Sequence, residues 1–113
     1  MKLKKSYLGE FEEIVLLATL KLGEKAYGTT IRQTVEEIAE RFTSVGALYA
    51  TLERLERKGL VSSKQGESTN ERGGRAKRYF KVEASGLKAL REAQAIRQRF
   101  LTGFTPGLLG GAI

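Results

Sequence analysis

The spacing of apolar residues along the chain predicts four helices and one β-hairpin. Helices are predicted over residues 10–22, 45–58 and 85–101, and a further one runs from a cap at Gly28 or Thr29 to about residue 41, because apolar side chains recur there every three or four positions. Two short segments, 60–65 and 75–82, enclose a polar stretch with glycines at 66–74 and are typical of paired strands. The predicted order is therefore helix, helix, helix, strand, strand, helix.

The first predicted helix is apolar on two faces. One face carries Phe11, Ile14, Val15, Ala18 and Leu22, and the other carries Leu16, Leu17 and Leu20. A helix that is apolar nearly all round must be covered on both sides, and a domain of 113 residues can cover one of them. A second copy of the chain is the natural candidate for the other side, and a C-terminal tail that folds back is the alternative.

The second and third predicted helices each bury one stripe and follow each other closely. The buried positions are Ile31, Val35, Ile38 and Phe42 in the second helix, and Val45, Leu48, Leu52 and Leu55 in the third. Thr43 and Ser44 form an N-cap signal for the third helix, and Gly59 can end it in a left-handed conformation. Two helices at this spacing, followed by a hairpin, predict a mainly α fold with a small β-hairpin, the winged helix-turn-helix.

Charge is concentrated in the predicted hairpin. The chain carries a net charge of +7, and residues 62–81 hold six basic and two acidic residues. Residues 1–61 are nearly balanced, with ten basic and nine acidic residues. A concentrated basic segment points to a partner that bears phosphates, and to a nucleic acid before a membrane.

The composition disfavours an enzyme. The chain has no histidine and no cysteine, so the commonest general base, the thiolate nucleophile and the usual zinc ligands are all missing. No metal or cofactor is expected. The longest apolar stretch, 14–20, is too short to cross a membrane, and a chain without cysteine fits a cytoplasmic location.

The outer face of the third helix is the first candidate site. With the leucines turned inward, Ser44, Ala47, Thr51, Arg54 and Lys58 are expected to lie outward. Hydroxyls and free helical amides there can bind phosphates, and small side chains let the backbone approach a duplex. We therefore predict DNA contacts by Thr43, Ser44, Ala47, Tyr49, Ala50, Thr51 and Arg54. For Tyr49 an ordinary boundary position is the alternative, and for Arg57 a solvated face of ion pairs with neighbouring glutamates.

The basic hairpin tip is the second candidate site. Its cations Arg72, Arg75, Lys77 and Arg78 alternate with small residues and can follow phosphates or enter the minor groove. A disordered polar loop is the alternative interpretation. The position of this segment next to a helix-turn-helix favours the interpretation as a DNA-binding wing.

Several separated motifs together resemble the PadR family of transcriptional regulators. The segment from Ser44 to Val61 is similar to the family's recognition helix, and Ala26-Tyr27-Gly28 is similar to the turn after its first helix. The stretch from Glu71 to Phe80 resembles the glycine-arginine wing that leads into an aromatic strand. The resemblance covers roughly residues 6–92, and it is to a short form of the family, since one helix and a glycine-rich tail follow the wing.

The resemblance implies a homodimeric repressor that binds a pseudo-palindromic DNA operator. In that family the first and last helices build the dimer, which assigns Phe11, Ile14, Leu17, Leu90, Ile96 and Phe100 to the dimer surface. We expect the DNA-binding domain to span 1–101 and the apolar tail 102–113. Glu83 stands where the family commonly caps the last helix, so that helix is expected to begin at Ser85. A small-molecule effector, and a protein-binding winged helix that never meets DNA, both stay open.

Overall fold

A computed structural model describes residues 8–66 and 76–103 of the chain. Its helices and strands follow the predicted order. They are α1 (Glu10–Leu22), α2 (Gly28–Ala39), α3 (Val45–Arg57), β1 (Val61–Gln65), β2 (Arg78–Val82) and α4 (Ala84–Leu101), with a short 3-10 helix (Gly23–Lys25) after α1. The mainly α fold with one hairpin is thereby confirmed. None of the described helices is long and apolar enough to cross a membrane.

The core lies between α1, α2, α3 and the inner side of the hairpin. Its largest fully buried side chains include Leu16, Ile31, Leu52 and Leu55. Complete burial of such a side chain stabilises a fold by about 1.5–3 kcal/mol. Phe80 from β2 closes this core below the hairpin. The pattern of leucines in α3 therefore does set which face of that helix is buried.

The hairpin is antiparallel, and a third segment extends it. Val61 lies opposite Val82, and Gln65 lies opposite Arg78. On the free side of β2, Tyr27 forms an isolated bridge with Tyr79, and the Phe80 N–H donates to the Ala26 carbonyl at 2.9 Å. The sequence analysis missed this pairing, because two residues between helices carry no strand periodicity. The start of α2 is thereby fixed to the hairpin.

The predicted stripe at the end of α2 is wrong. The helix ends at Ala39 rather than residue 41, because Glu40 adopts a left-handed conformation with φ 53°. Ile38 lies in the last turn and Phe42 lies beyond it, and they are 62% and 78% exposed instead of buried. Val45, at the first position of α3, is also 55% exposed. Helical periodicity continues in the sequence past the point where the helix stops.

The last helix begins one residue earlier than expected. Glu83 takes the N-cap position of α4, although its side chain does not cap the helix. Its carboxylate instead accepts a hydrogen bond from the Ser62 hydroxyl. The hydroxyl of Ser85 donates to the Gly59 carbonyl at 2.6 Å. The start of α4 is thus held to β1 and to the turn after α3, which explains why a capping residue is not needed there.

Candidate nucleic-acid-binding surface

The first turn of α3 presents a small and open surface. Ser44 caps the helix, its hydroxyl oxygen accepting from the Ala47 N–H at 3.1 Å. Gly46, Ala47 and Ala50 are exposed, and a Cβ added at Gly46 would meet no atom within 4 Å. The first amides of a helix lack intrahelical acceptors and carry its positive dipole end. This turn can therefore approach an anionic backbone closely.

Two predicted contacts are buried instead of outward. Thr51 is 3% exposed, and its hydroxyl oxygen accepts from Arg54 Nη2 at 3.3 Å. Thr43 is 4% exposed, and its hydroxyl has no hydrogen-bond partner among the described residues. The buried stripe of α3 is wider than its leucines alone suggest, and it includes Thr51. Neither threonine exposes its hydroxyl at the protein surface.

Tyr49 lies at the edge of the core and covers the start of α2. Its side chain is half-buried, and its ring centroid is 6.5 Å from that of Phe80. A Cβ added at Gly28 would lie 2.1 Å from the Tyr49 hydroxyl oxygen. Glycine is therefore required at position 28 by the tyrosine above it. From the sequence, Gly28 is predicted as a cap of the second helix and as part of the turn before it, because nothing in the pattern pairs it with Tyr49.

Two cations of α3 are held by a carboxylate of α1. Glu12 is 6% exposed, and it accepts from Arg54 Nε at 3.0 Å and from Lys58 Nζ at 2.9 Å. We call these three residues the Glu12 cluster. Burial by itself raises the pKa of Glu12, but the Gly9 N–H, Lys58 and Arg54 together more than offset that effect, and the pKa is lowered. Arg54 is still half-exposed, so it lies on the predicted surface but already has an anionic partner.

A second carboxylate on α3 holds the base of the hairpin. Arg78 Nη2 donates to Glu56 Oε1 at 2.9 Å, and Arg78 Nε donates to the Ser63 hydroxyl oxygen at 2.9 Å. The Ser63 hydroxyl in turn donates to Glu56 Oε2 at 2.9 Å. We call Glu56, Ser63 and Arg78 the wing-base network. The predicted phosphate ligand Arg78 thus also has a carboxylate partner inside the protein.

Arg57 is an exposed cation at the last position of α3. It shares the outer face with Gly46, Ala50 and Glu53, since these positions are spaced three or four residues apart. Within residues 8–66 and 76–103 it makes no ion pair, so the expected pairing with neighbouring glutamates is not found there. On the hairpin, Lys77 is exposed, with its Nζ 5.1 Å from the centroid of the Tyr27 ring. The predicted wing contacts Arg72 and Arg75 lie outside the described residues.

The predicted dimer residues fall into three groups. Leu17 and Phe100 are 47% and 75% exposed, as is Leu20 at 45%. Phe11, Ile14 and Ile96 are half-buried. Leu90 is 9% exposed and belongs to the core of the single chain, so it is not available for a partner. Two hydrogen bonds from Arg97 to Glu13, at 2.8 and 2.7 Å, join α4 to α1 beside these exposed side chains.

This arrangement defines a winged-helix protein, in which α2 and α3 form the helix-turn-helix and the hairpin flanks α3. The sequence model of the transcriptional regulator PadR-like family matches residues 16–92, a span that contains α2, α3 and the hairpin. The chain therefore belongs to the PadR-like family of transcriptional regulators, and the resemblance seen in the sequence is confirmed. The proteins of this family are transcription factors and not enzymes.

Solved structures of bacterial proteins share the fold. A PadR-like transcription factor from Bacteroides fragilis is similar at 30% identity and a TM-score of 0.69, over 80% of this chain and 82% of that one. A PadR family regulator from Clostridium difficile is similar at 28% identity and a TM-score of 0.64, over 88% and 99%. The protein smu.1704 of Streptococcus mutans is similar at 25% identity and a TM-score of 0.67, over 97% of both chains. No curated protein gives a significant sequence match.

Proposed function

We propose that the chain is a sequence-specific DNA-binding repressor that acts in the cytoplasm as a homodimer on a pseudo-palindromic operator. In this proposal α3 enters the major groove and the hairpin contacts flanking DNA. The observation that carries the proposal is the open N-terminal part of α3, where Ser44, Ala47 and Ala50 are exposed. The membership in a family of transcriptional regulators supports it independently.

The chemistry of this surface suits backbone approach followed by base contact. Phosphate oxygens can accept from the free amides at the start of α3, and this positions the helix without selecting a sequence. Ala47 and Ala50 are small enough to let the helix enter the groove and touch base edges such as the thymine methyl group. Arg57 and Lys77 supply cations without a carboxylate partner in the described part of the chain. Affinity in this proposal comes mostly from phosphates, and discrimination comes from the small side chains.

DNA binding is tested by a substitution that places a negative charge on the exposed N-terminal part of α3. We expect Ala50→Glu to weaken binding to a duplex from the upstream region of the chain's own gene by at least about 10-fold, the loss of one good contact. Ala84→Glu is the matched control, because Ala84 is also an exposed alanine and lies at the start of α4. Fluorescence anisotropy at several salt concentrations measures both variants. Equal affinities of the two variants would refute the placement of α3, and a wild type without salt-sensitive binding would favour a protein-binding winged helix.

The dimer proposal rests on apolar side chains that the single chain leaves uncovered. Leu17 and Leu20 follow one face of α1, and both are nearly half exposed. In a twofold dimer, two copies of α3 would meet successive major grooves about 34–36 Å apart. We expect Leu17→Lys to shift the chain from dimer to monomer in analytical ultracentrifugation. Ile38→Lys is the control, since Ile38 is 62% exposed and lies outside α1 and α4; an unchanged dimer in both variants would contradict this interface.

A further inference from the structure

The wing-base network connects three separate elements through one hydroxyl group. Glu56 comes from α3, Ser63 from β1 and Arg78 from β2. The Ser63 hydroxyl oxygen accepts from Arg78 and its proton is donated to Glu56, so both roles of the hydroxyl are used. The Arg78 guanidinium carbon also lies 5.4 Å from the centroid of the Phe80 ring. The guanidinium is therefore fixed by a carboxylate, a hydroxyl and an aromatic face at once.

The wing-base network lies at one end of the hairpin, where it can fix the orientation of the hairpin relative to α3. At the far end of β2 the strand pairing continues past Val82, where the Glu83 N–H donates to the Leu60 carbonyl at 2.9 Å, and in the middle of β2 the Phe80 N–H donates to the Ala26 carbonyl before α2. Arg78 is at the opposite end, opposite Gln65 and next to the turn. A two-stranded hairpin is only marginally stable by itself. The bridge between Tyr27 and Tyr79 joins this end to the segment before α2, and the ion pair of Arg78 with Glu56 adds a direct contact with α3. The orientation of the hairpin toward α3 therefore depends in part on Glu56.

We propose that Arg78 is a positioning residue, which acts through Glu56 and Ser63 to fix the separation between the hairpin and α3, and that it is not a phosphate ligand. This inference rests on the proposed DNA binding by α3 and the wing. The basic sequence around Arg78 suggests a different role, a direct contact with DNA phosphates. Lys77, the residue before Arg78, has no carboxylate partner among the described residues and is therefore a better phosphate ligand than Arg78.

The two roles predict opposite effects of removing the carboxylate. If Arg78 were a phosphate ligand, Glu56→Gln would free it and remove a negative charge near the duplex, so DNA binding would become tighter. If Arg78 positions the wing, Glu56→Gln releases the hairpin and DNA binding becomes weaker. Arg78→Lys gives a second contrast, because lysine keeps the charge for a phosphate but cannot supply the planar fork that reaches Glu56 and Ser63 together.

The test measures DNA binding of the full chain to the upstream duplex over a range of salt concentrations. We expect Glu56→Gln, Arg78→Gln and Arg78→Lys each to weaken binding by about 3- to 10-fold, the effect of one or two hydrogen bonds. The double variant with Gln at positions 56 and 78 should bind DNA no more weakly than the weaker-binding of the two single Gln variants. The dependence of DNA affinity on salt concentration should be the same in Arg78→Gln as in wild type. Glu37→Gln is the control, since Glu37 is exposed on α2, outside the proposed DNA-binding surface, and has no ion pair in the described part of the chain; it should bind as wild type.

Three outcomes would overturn the proposal: tighter binding by Glu56→Gln, near-wild-type binding by Arg78→Lys, or a salt slope reduced by about one in Arg78→Gln.

A measurement without DNA separates failure of the positioning role from failure of DNA binding. The Gly66 N–H donates to the Lys77 carbonyl at 2.6 Å beside the network, and its hydrogen exchange should accelerate in Glu56→Gln and Arg78→Gln but not in Glu37→Gln. Unchanged exchange refutes the positioning role even if no duplex is bound.

Discussion

Glu12 is the buried charge on which the attachment of α1 to α3 depends, and Glu12→Gln removes that charge with little change of shape. The glutamine can still accept from the Gly9 N–H, which is 2.8 Å from the carboxylate in the wild type. What it loses is the negative charge shared by Lys58 and Arg54. We therefore expect a loss of stability that comes from the Glu12 cluster and not from the helix cap.

The size of that loss follows from the exposure of the two cations. The Lys58 side chain is 26% exposed, and its hydrogen bonds to the carboxylate are of the charge-assisted kind that contributes about 1.5–3 kcal/mol when well shielded. The Arg54 side chain is 46% exposed, so water screens its pair and leaves less than about 1 kcal/mol. Both cations can be hydrated again in the variant. We expect Glu12→Gln to lower the free energy of unfolding by about 1–3 kcal/mol.

The pH dependence identifies the charge as the cause. Because the pKa of Glu12 is lower in the folded chain, the unfolded state binds more protons as the pH falls. The stabilisation is therefore complete above the pKa of an unfolded glutamate, about 4.3, and it is lost as the pH falls through the lower pKa of the folded state. Urea unfolding at pH 7 and at decreasing pH should show wild type and Glu12→Gln converging in acid.

The matched control is Glu10→Gln on the same turn of α1. Glu10 has a 79% exposed side chain and one long contact of 3.4 Å to Arg41, so its loss should leave stability nearly unchanged. A difference between wild type and Glu12→Gln that persists undiminished in acid would show that packing, and not charge, explains the loss. Equal stabilities of the two variants would refute the importance of the Glu12 cluster.

Four further substitutions, at Gly28, Gly86, Gly46 and Thr43, test the packing of the fold by urea unfolding. Gly28→Ala should cost about 1–3 kcal/mol because its Cβ would overlap Tyr49, and the cost should fall when Tyr49→Phe removes the nearest atom; equal costs in both backgrounds would contradict this contact. Gly86→Ala should cost at least about 2 kcal/mol, since its Cβ would lie 2.4 Å from a backbone carbonyl oxygen, whereas Gly46→Ala, with open space around it, should be neutral or stabilising. Thr43→Val should leave stability unchanged or raise it, because the buried hydroxyl has no partner among the described residues, and a loss above about 1 kcal/mol would mean that the hydroxyl is satisfied.

The order of helices and strands could be predicted from the sequence because each element repeats its apolar residues at its own period. The period also gave the buried side of α3, where Leu48, Leu52 and Leu55 are all inside. The period does not predict where a helix ends. α2 ends before Glu40, although the apolar spacing in the sequence continues through Phe42. A left-handed glutamate has no signal comparable to the glycine that usually marks such an end.

Side-chain partners could not be predicted, because they come from distant parts of the chain. Glu12 and Arg54 are 42 positions apart, and Glu56 and Arg78 are 22 positions apart. Each looks solvated or basic when only its sequence neighbours are considered. The fold decides which carboxylate reaches which cation. Arg54 and Arg78, which the sequence predicts as DNA contacts, therefore each have a carboxylate partner inside the protein.

The two carboxylate clusters divide the cations around α3 by task. Glu12 holds Arg54 and Lys58 on the side of α3 that faces α1, so these charges serve the attachment of the helix to the domain. Glu56 holds Arg78 on the side that faces the hairpin. Among the described residues, Arg57 is then the cation of α3 without a carboxylate partner, and it lies at the last position of the helix, at the opposite end from the turn made of small residues. A helix with so little outward charge binds nonspecific DNA weakly by itself, because phosphate neutralisation supplies most nonspecific affinity. In the proposed complex the wing therefore adds phosphate contacts to those of the first amides of α3, and the geometry between wing and α3 becomes a determinant of binding.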